Sequence, residues 1–164
     1  YYASRGLGDV YKRQVENGSV TLRYTIDFGK ANLPDGLLQQ KLQLQEFIDK
    51  VASKGYIYSI VNLKENDSHI YFNTSSPGLY RLSKTAFTVQ HIPEITDSES
   101  GIRHSMMIAT EDKNNEWICF CKNMMELKNE VDLDKGQQKN NPFVQKVNSC
   151  NESDNPVLFF YHLK

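Results

Sequence analysis

The sequence predicts an all-β fold of mainly antiparallel short strands, with one or two helical insertions. Short apolar or alternating segments recur about every 10 to 13 residues between polar turns, as in β-hairpins. Aromatic residues make up 11% of the chain, and most of them are Tyr and Phe. This composition favours strands over disorder or a helical bundle.

The first strand is predicted over residues 20–28. Its apolar side chains occur at every second position and alternate with polar ones, which is typical of a strand with one buried face. Gly29 ends the pattern, and a turn follows over residues 33–36. The expected buried face consists of Val20, Leu22, Tyr24, Ile26 and Phe28.

One long helix is predicted over residues 37–53. Its apolar residues recur at spacings of three and four, and Gly55 stops the run. We expect this helix to pack on the sheets rather than to bind a partner. The packing face would comprise Leu44, Phe47, Ile48 and Val51.

Short strands and two short helices follow. The segment 56–92 contains four predicted strands, at residues 56–63, 69–73, 79–82 and 85–92. Residues 105–110 and 117–121 are expected to form a hairpin, with Asn114-Asn115 in its turn. The remaining predicted elements are helices at 124–131 and 142–148 and a last strand at 156–163.

This pattern fits a sandwich, a barrel or a propeller. A propeller blade needs four strands in roughly 40 residues, as the segment 56–92 provides, and a strand at the chain terminus usually closes the ring. We therefore predict a partial β-propeller of about three blades.

Residues 1–14 are expected to lie outside the natural domain. Asp9 to Gln14 read Asp-Val-Tyr-Lys-Arg-Gln, which resembles the in-frame translation of a transposon adaptor used to prepare sequencing libraries. We interpret residues 1–14 as adaptor-derived, and residues 15–164 as the C-terminal part of a propeller domain. On this interpretation the ordered fold begins near Val15.

Charge and hydropathy exclude two classes of partner. The formal net charge is −1 and no basic stripe is present, so nucleic acid is not expected as a partner. No apolar run approaches the roughly 18 residues of a membrane span.

The three cysteines do not form a disulfide framework. Cys119 and Cys121 are two residues apart on a predicted strand and are expected to be buried on one face. A soft-metal site at this pair is the less favoured alternative, because no second Cys or His pair has a matching spacing. Cys150 lies among polar residues and is expected to be a free surface thiol.

No catalytic, metal or cofactor motif emerges. The histidines His69, His91, His104 and His162 are too far apart in sequence for a short metal-binding motif, and structural roles are favoured for His69 and His162. Nucleophile-elbow and phosphate-loop patterns are absent. The carboxylate pairs Glu111–Asp112 and Asp132–Asp134 are interpreted as solvated loops, Trp117 as inter-sheet packing, and Met106, Met107, Met124 and Met125 as core.

Two segments carry a resemblance to a known family. Arg23 to Lys30 with Leu33-Pro34, and Asp154 to Lys164 at the C-terminus, are similar to motifs of bacterial proteins called six-bladed β-propellers. These are exported proteins, many of them lipoproteins, of unknown function. The resemblance implies a location in the periplasm or at the outer membrane, through a lipid on a cysteine N-terminal to this chain. It implies no catalytic residues.

Two functions remain open at this stage. The first is a non-enzymatic binding or scaffold propeller of the cell envelope, with a glycan or a protein as ligand. The second is a propeller lyase, lactonase or glycan hydrolase whose catalytic residues lie partly in N-terminal blades outside this chain. In both cases the N-terminal half of the same protein is an expected partner, no cofactor is expected, and no ligand-binding residue is assigned.

Overall fold

The computed structural model describes residues 10–16, 18–108, 116–133 and 140–163. The chain divides into two compact units. The first comprises the described residues up to Val61 together with Thr74–Ser76. The second comprises Asn62–Asn73 and the described residues from Pro77 onwards.

The first unit begins with an antiparallel hairpin of β1 (Val10–Glu16) and β2 (Ser19–Ile26). Strand β1 thus includes residues 10–14, which precede the expected start of the fold near Val15. Strand pairing does not bear on the origin of residues 1–14, so their interpretation as adaptor-derived stays a prediction. The expected buried face of β2 is wrong for Val20 and Leu22, which are exposed, and only Ile26 lies in the core.

The predicted long helix is two helices, α1 (Asp35–Leu38) and α2 (Leu44–Lys54). A capping box separates them, because the backbone N–H of Gln43 donates to Glu46 at 3.0 Å and so starts a new helix. Gly55 ends α2 in a left-handed conformation, as predicted.

The core of the first unit forms around Leu33, Leu37 and Val51. Phe47 is partly buried and contacts Tyr58 edge-to-face, with ring centroids 5.6 Å apart. Leu44 is 74% exposed, contrary to its predicted packing role. Its position in the first turn of α2 explains this difference, because the packing face of the helix starts one turn later at Phe47.

The second unit contains most of a four-stranded antiparallel sheet in the order β3-β4-β5-β6. This confirms that the segment 56–92 supplies four strands to one sheet, although β3 and β6 begin later than predicted. Phe72 and Ile70 of β4 are fully buried. The strands are β3 (Ile60–Glu65), β4 (His69–Thr74), β5 (Leu79–Ser83) and β6 (Val89–Ile92).

Two smaller sheets complete the strands of this unit. Strands β7 (Ile95–Thr96) and β8 (Arg103–His104) pair antiparallel. Strands β9 (Met107–Ile108), β10 (Trp117–Lys122) and β11 (Val157–His162) form a sheet in the order β11-β10-β9. The β9–β10 hairpin and the last strand confirm the prediction, while the predicted Asn114-Asn115 turn lies outside the described residues.

Two helices lie between β10 and β11, namely α3 (Met124–Leu133) and α4 (Pro142–Ser149). Both were predicted. Asn141 caps α4 by accepting a hydrogen bond from the backbone N–H of Phe143 at 2.8 Å. The helices pack around Leu127 and Val147.

The described residues thus confirm an all-β class of mainly antiparallel short strands with a few helices. None of the helices in this part of the chain is long and apolar enough to cross a membrane.

Candidate functional site

An open cleft of about 380 Å³ lies in the second unit. Its lining comes from β8, β10, α3 and two adjoining loops. Because the lining residues that the structure describes are all polar or charged, they would hold a ligand by charge and hydrogen bonds. The lining residues are Glu94, Arg103, Ser105, Lys122, Glu126, Asn129 and Glu130.

Glu130 organises the cleft. Its Oε2 lies 2.7 Å from Nζ of Lys122, and its Oε1 accepts a hydrogen bond from the backbone N–H of Arg103 at 2.6 Å. Partial burial acts to raise the pKa of Glu130. The hydrogen bonds and charges of Lys122 and Arg103 outweigh it and hold the pKa below its ordinary value. The ionised form of Glu130 is therefore favoured, whereas a general acid needs a raised pKa.

Arg103 presents its guanidinium to the cleft. Its side chain is 50% exposed, with Nε at 3.4 Å from Glu130 and Nη1 at 4.0 Å from Glu94. The half-exposed guanidinium remains accessible to solvent, and its hydrogen-bond donors have the planar geometry that suits a carboxylate.

A buried histidine lies next to the cleft residues. His104 follows Arg103 in β8 and is 2% exposed. Its ring stacks on Phe120, with centroids 4.8 Å apart, and is tilted against Phe159 at 4.6 Å. Alternation along the strand explains why Arg103 faces the cleft while its neighbour enters the core.

Hydrogen bonds determine the tautomer of His104. The hydroxyl of Tyr161 donates its single proton to Oδ2 of Asp97 at 2.9 Å. Nε2 of His104 lies 3.0 Å from the same hydroxyl oxygen and must therefore be the protonated nitrogen that donates to it. Nδ1 is then a bare acceptor, and it is buried without a hydrogen-bond partner among the described residues.

The pKa values around this histidine follow from burial and charge. Burial, helped by the charge of Lys122, lowers the pKa of His104, so the neutral ring is favoured. Burial and the neighbouring Asp97 raise the pKa of Tyr161. Partial burial acts to raise the pKa of Asp97, but hydrogen bonds from Ser100, Tyr161 and the Glu99 backbone bring it below its ordinary value.

The other three histidines have structural contacts and lie outside the cleft lining. Nδ1 of His69 lies 2.8 Å from the Ser68 hydroxyl, in agreement with the structural role expected for it. His162 lies 3.5 Å from Glu116. Nε2 of His91 lies 3.0 Å from the carbonyl of Pro77.

The predicted role of Trp117 is wrong. The side chain is 42% exposed and rests edge-on against His162 of the neighbouring strand, with centroids 4.9 Å apart. A side chain with this exposure does not lie packed between two sheets.

The expected burial of the Cys119–Cys121 pair and of the two methionine pairs is wrong for one member of each pair. Cys119 is buried but Cys121 is exposed, because only the middle of that face of β10 is covered. Cys150 is partly buried against the α3–α4 core. In each methionine pair one side chain is buried (Met107 and Met124) and the other exposed (Met106 and Met125). Consecutive residues of a strand or helix point in different directions, so they cannot share one core.

The carboxylate pairs singled out from the sequence are not among the described residues that line the cleft. Glu111, Asp112 and Asp134 lie outside the described residues, and Asp132 lies near the end of α3. Sequence reasoning missed all seven lining residues of the cleft. The one available signal was the spacing of Glu126 and Glu130, which places two carboxylates on one face of a predicted helix.

Comparisons with known proteins concern the fold. Neither a family model nor a curated protein matches this sequence. The structure is similar to the crystal structure of a candidate exported protein of Bacteroides fragilis NCTC 9343, with a TM-score of 0.58 and 12% sequence identity. The match covers 96% of this chain and 45% of that one, so this chain spans less than half of the protein it resembles.

Proposed function

We propose that the chain is part of an exported β-propeller of the bacterial cell envelope, and that it binds a polar ligand in the cleft without transforming it. The observation that carries this proposal is the arrangement around Glu130. One oxygen of that carboxylate binds Lys122 and the other binds the backbone N–H of Arg103, which holds both residues in place while the Arg103 side chain stays half exposed. Such a preorganised polar surface suits recognition.

Two further findings support the propeller and export parts of the proposal. A four-stranded antiparallel sheet is followed along the chain by two smaller antiparallel sheets, the second of which contains β11, and propeller blades are likewise small antiparallel sheets that succeed one another. The similar structure belongs to a candidate exported protein and is more than twice as long as this chain, as its 45% coverage shows. A propeller of about three blades here, extended by further blades, is consistent with both findings.

A propeller lyase, lactonase or glycan hydrolase is the second candidate. The observation in its favour is that Glu94 and Glu126 line the same cleft, since glycoside hydrolases use two carboxyl groups across a cleft. Further catalytic residues would come from blades outside this chain. The ionised, internally paired Glu130 argues for the binding function.

Binding and turnover can be measured on the same sample. The protein is labelled with ¹⁵N and titrated with neutral oligosaccharides, uronic-acid oligosaccharides and short peptides, while mass spectrometry follows each compound. We expect saturable shifts of the Arg103, Ser105 and Asn129 resonances and no change in any compound. Conversion of a compound would establish the enzymatic alternative, and the lack of any saturable shift in the cleft would overturn the proposal.

A further inference from the structure

Glu130 and Lys122 neutralise each other inside the cleft. Nζ of Lys122 and Oε2 of Glu130 are 2.7 Å apart, and the two side chains are only 22% and 12% exposed. The second oxygen of Glu130 is occupied by Arg103. This pair therefore contributes little free charge to a ligand.

Three charged side chains among the described lining residues make few or only weak contacts with the protein. Arg103 is half exposed and reaches Glu94 only at 4.0 Å, the outer limit of an ion pair. Glu126 accepts the backbone N–H of Asn123 at 3.0 Å through Oε2, and its Oε1 makes no hydrogen bond or ion pair to the described residues. The cleft thus presents one guanidinium and two carboxylates to a ligand.

The signs of these charges determine which kind of ligand the cleft can bind. An anion alone would bind Arg103 but would be repelled by Glu94 and Glu126. A cation alone would bind the carboxylates but would be repelled by Arg103. A neutral sugar would find no aromatic face to stack on among the described lining residues, which are all polar.

We propose that the cleft binds a small zwitterion of the amino-acid type, either a free α-amino acid or a short peptide with free ends. Arg103 binds the carboxylate of the ligand and Glu126 binds its ammonium group, with Glu94 as a second acidic neighbour. Ser105 and Asn129 line the same cleft and supply neutral hydrogen-bonding groups. The volume of about 380 Å³ lies at the lower end of the range for small-molecule sites. This inference rests on the proposed binding function and names the ligand class of the same cleft.

Four probes separate the contributions of the two ligand charges. They are alanine, alanyl-alanine, N-acetyl-alanyl-alanine (no ammonium group) and alanyl-alanine amide (no carboxylate), each titrated at low salt with ¹⁵N resonances as the readout. We expect the zwitterionic peptide to bind at least about tenfold more tightly than either blocked form, the factor that corresponds to the lower value for one hydrogen bond to a charged group. Comparison with alanine tells a peptide site from an amino-acid site.

Substitutions test which residue binds the carboxylate of the ligand and which binds its ammonium group. Arg103→Gln should bind the peptide and its amide equally, and Glu126→Gln should bind the peptide and its N-acetyl form equally. If Arg103→Gln does not fold, Arg103→Lys can be used instead. It keeps the positive charge but removes the planar pair of guanidinium donors, so it should reduce the preference for alanyl-alanine over its amide. Arg81→Gln is the matched control, because Arg81 hydrogen-bonds Gln90 on the four-stranded sheet at 2.7 Å, outside the cleft lining.

Each other outcome contradicts the inference. If a blocked peptide binds as tightly as alanyl-alanine, the zwitterion is not what the cleft selects. If an oligosaccharide saturates the cleft and the peptides do not bind, the ligand class is wrong while the proposed binding function stands. If neither class shifts the cleft resonances, the binding function and the inference fall together.

Discussion

The side chain of Asn73 holds the backbone of Met107. Oδ1 of Asn73 accepts a hydrogen bond from the Met107 N–H at 3.0 Å, and Nδ2 donates to the carbonyls of Gly78 and Ser105 at 2.8 and 3.2 Å. Asn73 is fully buried. One amide thereby joins the four-stranded sheet to β9, just beyond the cleft residue Ser105.

Asn73→Ala should be strongly destabilising. The substitution removes three hydrogen bonds and leaves buried backbone groups unpaired, which should lower the free energy of unfolding by about 2–4 kcal/mol. Urea unfolding of the full chain measures the change. Asn155→Ala, at an exposed position, is the control and should stay within about 0.5 kcal/mol of the wild type. An equally small effect at Asn73 would show that the link between the sheets is weak.

Gly78→Ala should destabilise the four-stranded sheet. Gly78 has φ of +112°, and a Cβ there would collide with Nε2 of His91 and lie 3.0 Å from the Ile92 carbonyl oxygen. We expect a loss of about 2 kcal/mol or more in the free energy of unfolding. Gly36→Ala is the matched control, because Gly36 lies in α1 with nothing within 4 Å of its Cβ position. It should be neutral or stabilising by up to about 1 kcal/mol.

His104 should make the stability of the protein depend on pH. Burial lowers its pKa in the folded state below the ordinary value of 6.5. The unfolded chain therefore binds more protons than the folded chain just below pH 6.5, and stability falls as the pH falls through this range. At higher pH both states are neutral at this site and the stabilisation is complete.

Unfolding curves of wild type and His104→Phe between pH 7.5 and 5 test this. Phe keeps the stacking on Phe120 but cannot be protonated, so the variant should lose the part of the pH dependence that is due to His104. An unchanged slope in His104→Phe would assign the pH dependence to other groups. The contributions of Asp97 and Glu130 to the pH dependence of stability can be distinguished from that of His104, because the lowered pKa values of these carboxyl groups place their effects at lower pH.

The exposed apolar side chains on one face of the β9–β11 sheet should promote self-association. Phe160 and Leu158 are 54% and 49% exposed, and Trp117 lies on the same face. We expect light scattering to give a mass above the 18.9 kDa of one chain, and Phe160→Ser with Leu158→Thr to restore the monomer. Phe87→Ser is the control, because Phe87 is exposed at a hairpin tip outside this face. A monodisperse wild-type monomer with a cooperative melt would instead favour a self-contained β-fold.

Elements with a strong local signal could be predicted from the sequence. The segment 56–92 yields four strands of one sheet because turn residues separate its apolar runs. Helix α4 begins at Pro142 after the cap Asn141, as local backbone chemistry requires. Burial was predicted less well, since exposed Val20, Leu22 and Leu44 match the periodicity of buried residues. Periodicity indicates which residues share a face, but it does not show whether another element covers that face.

Only the tertiary structure determines which residues come together in the cleft. Arg103 and Glu130 are 27 positions apart, and their contact depends on how α3 packs beside β8. Strand β8 has only two residues, too few to show a period, so neither the exposed Arg103 nor the buried His104 could be identified from the sequence. A charged side chain is most often a solvated surface residue, and it becomes part of a site only when distant segments bring partners within a few ångströms of it. Local patterns thus determined the strands and helices, while long-range packing determined the cleft.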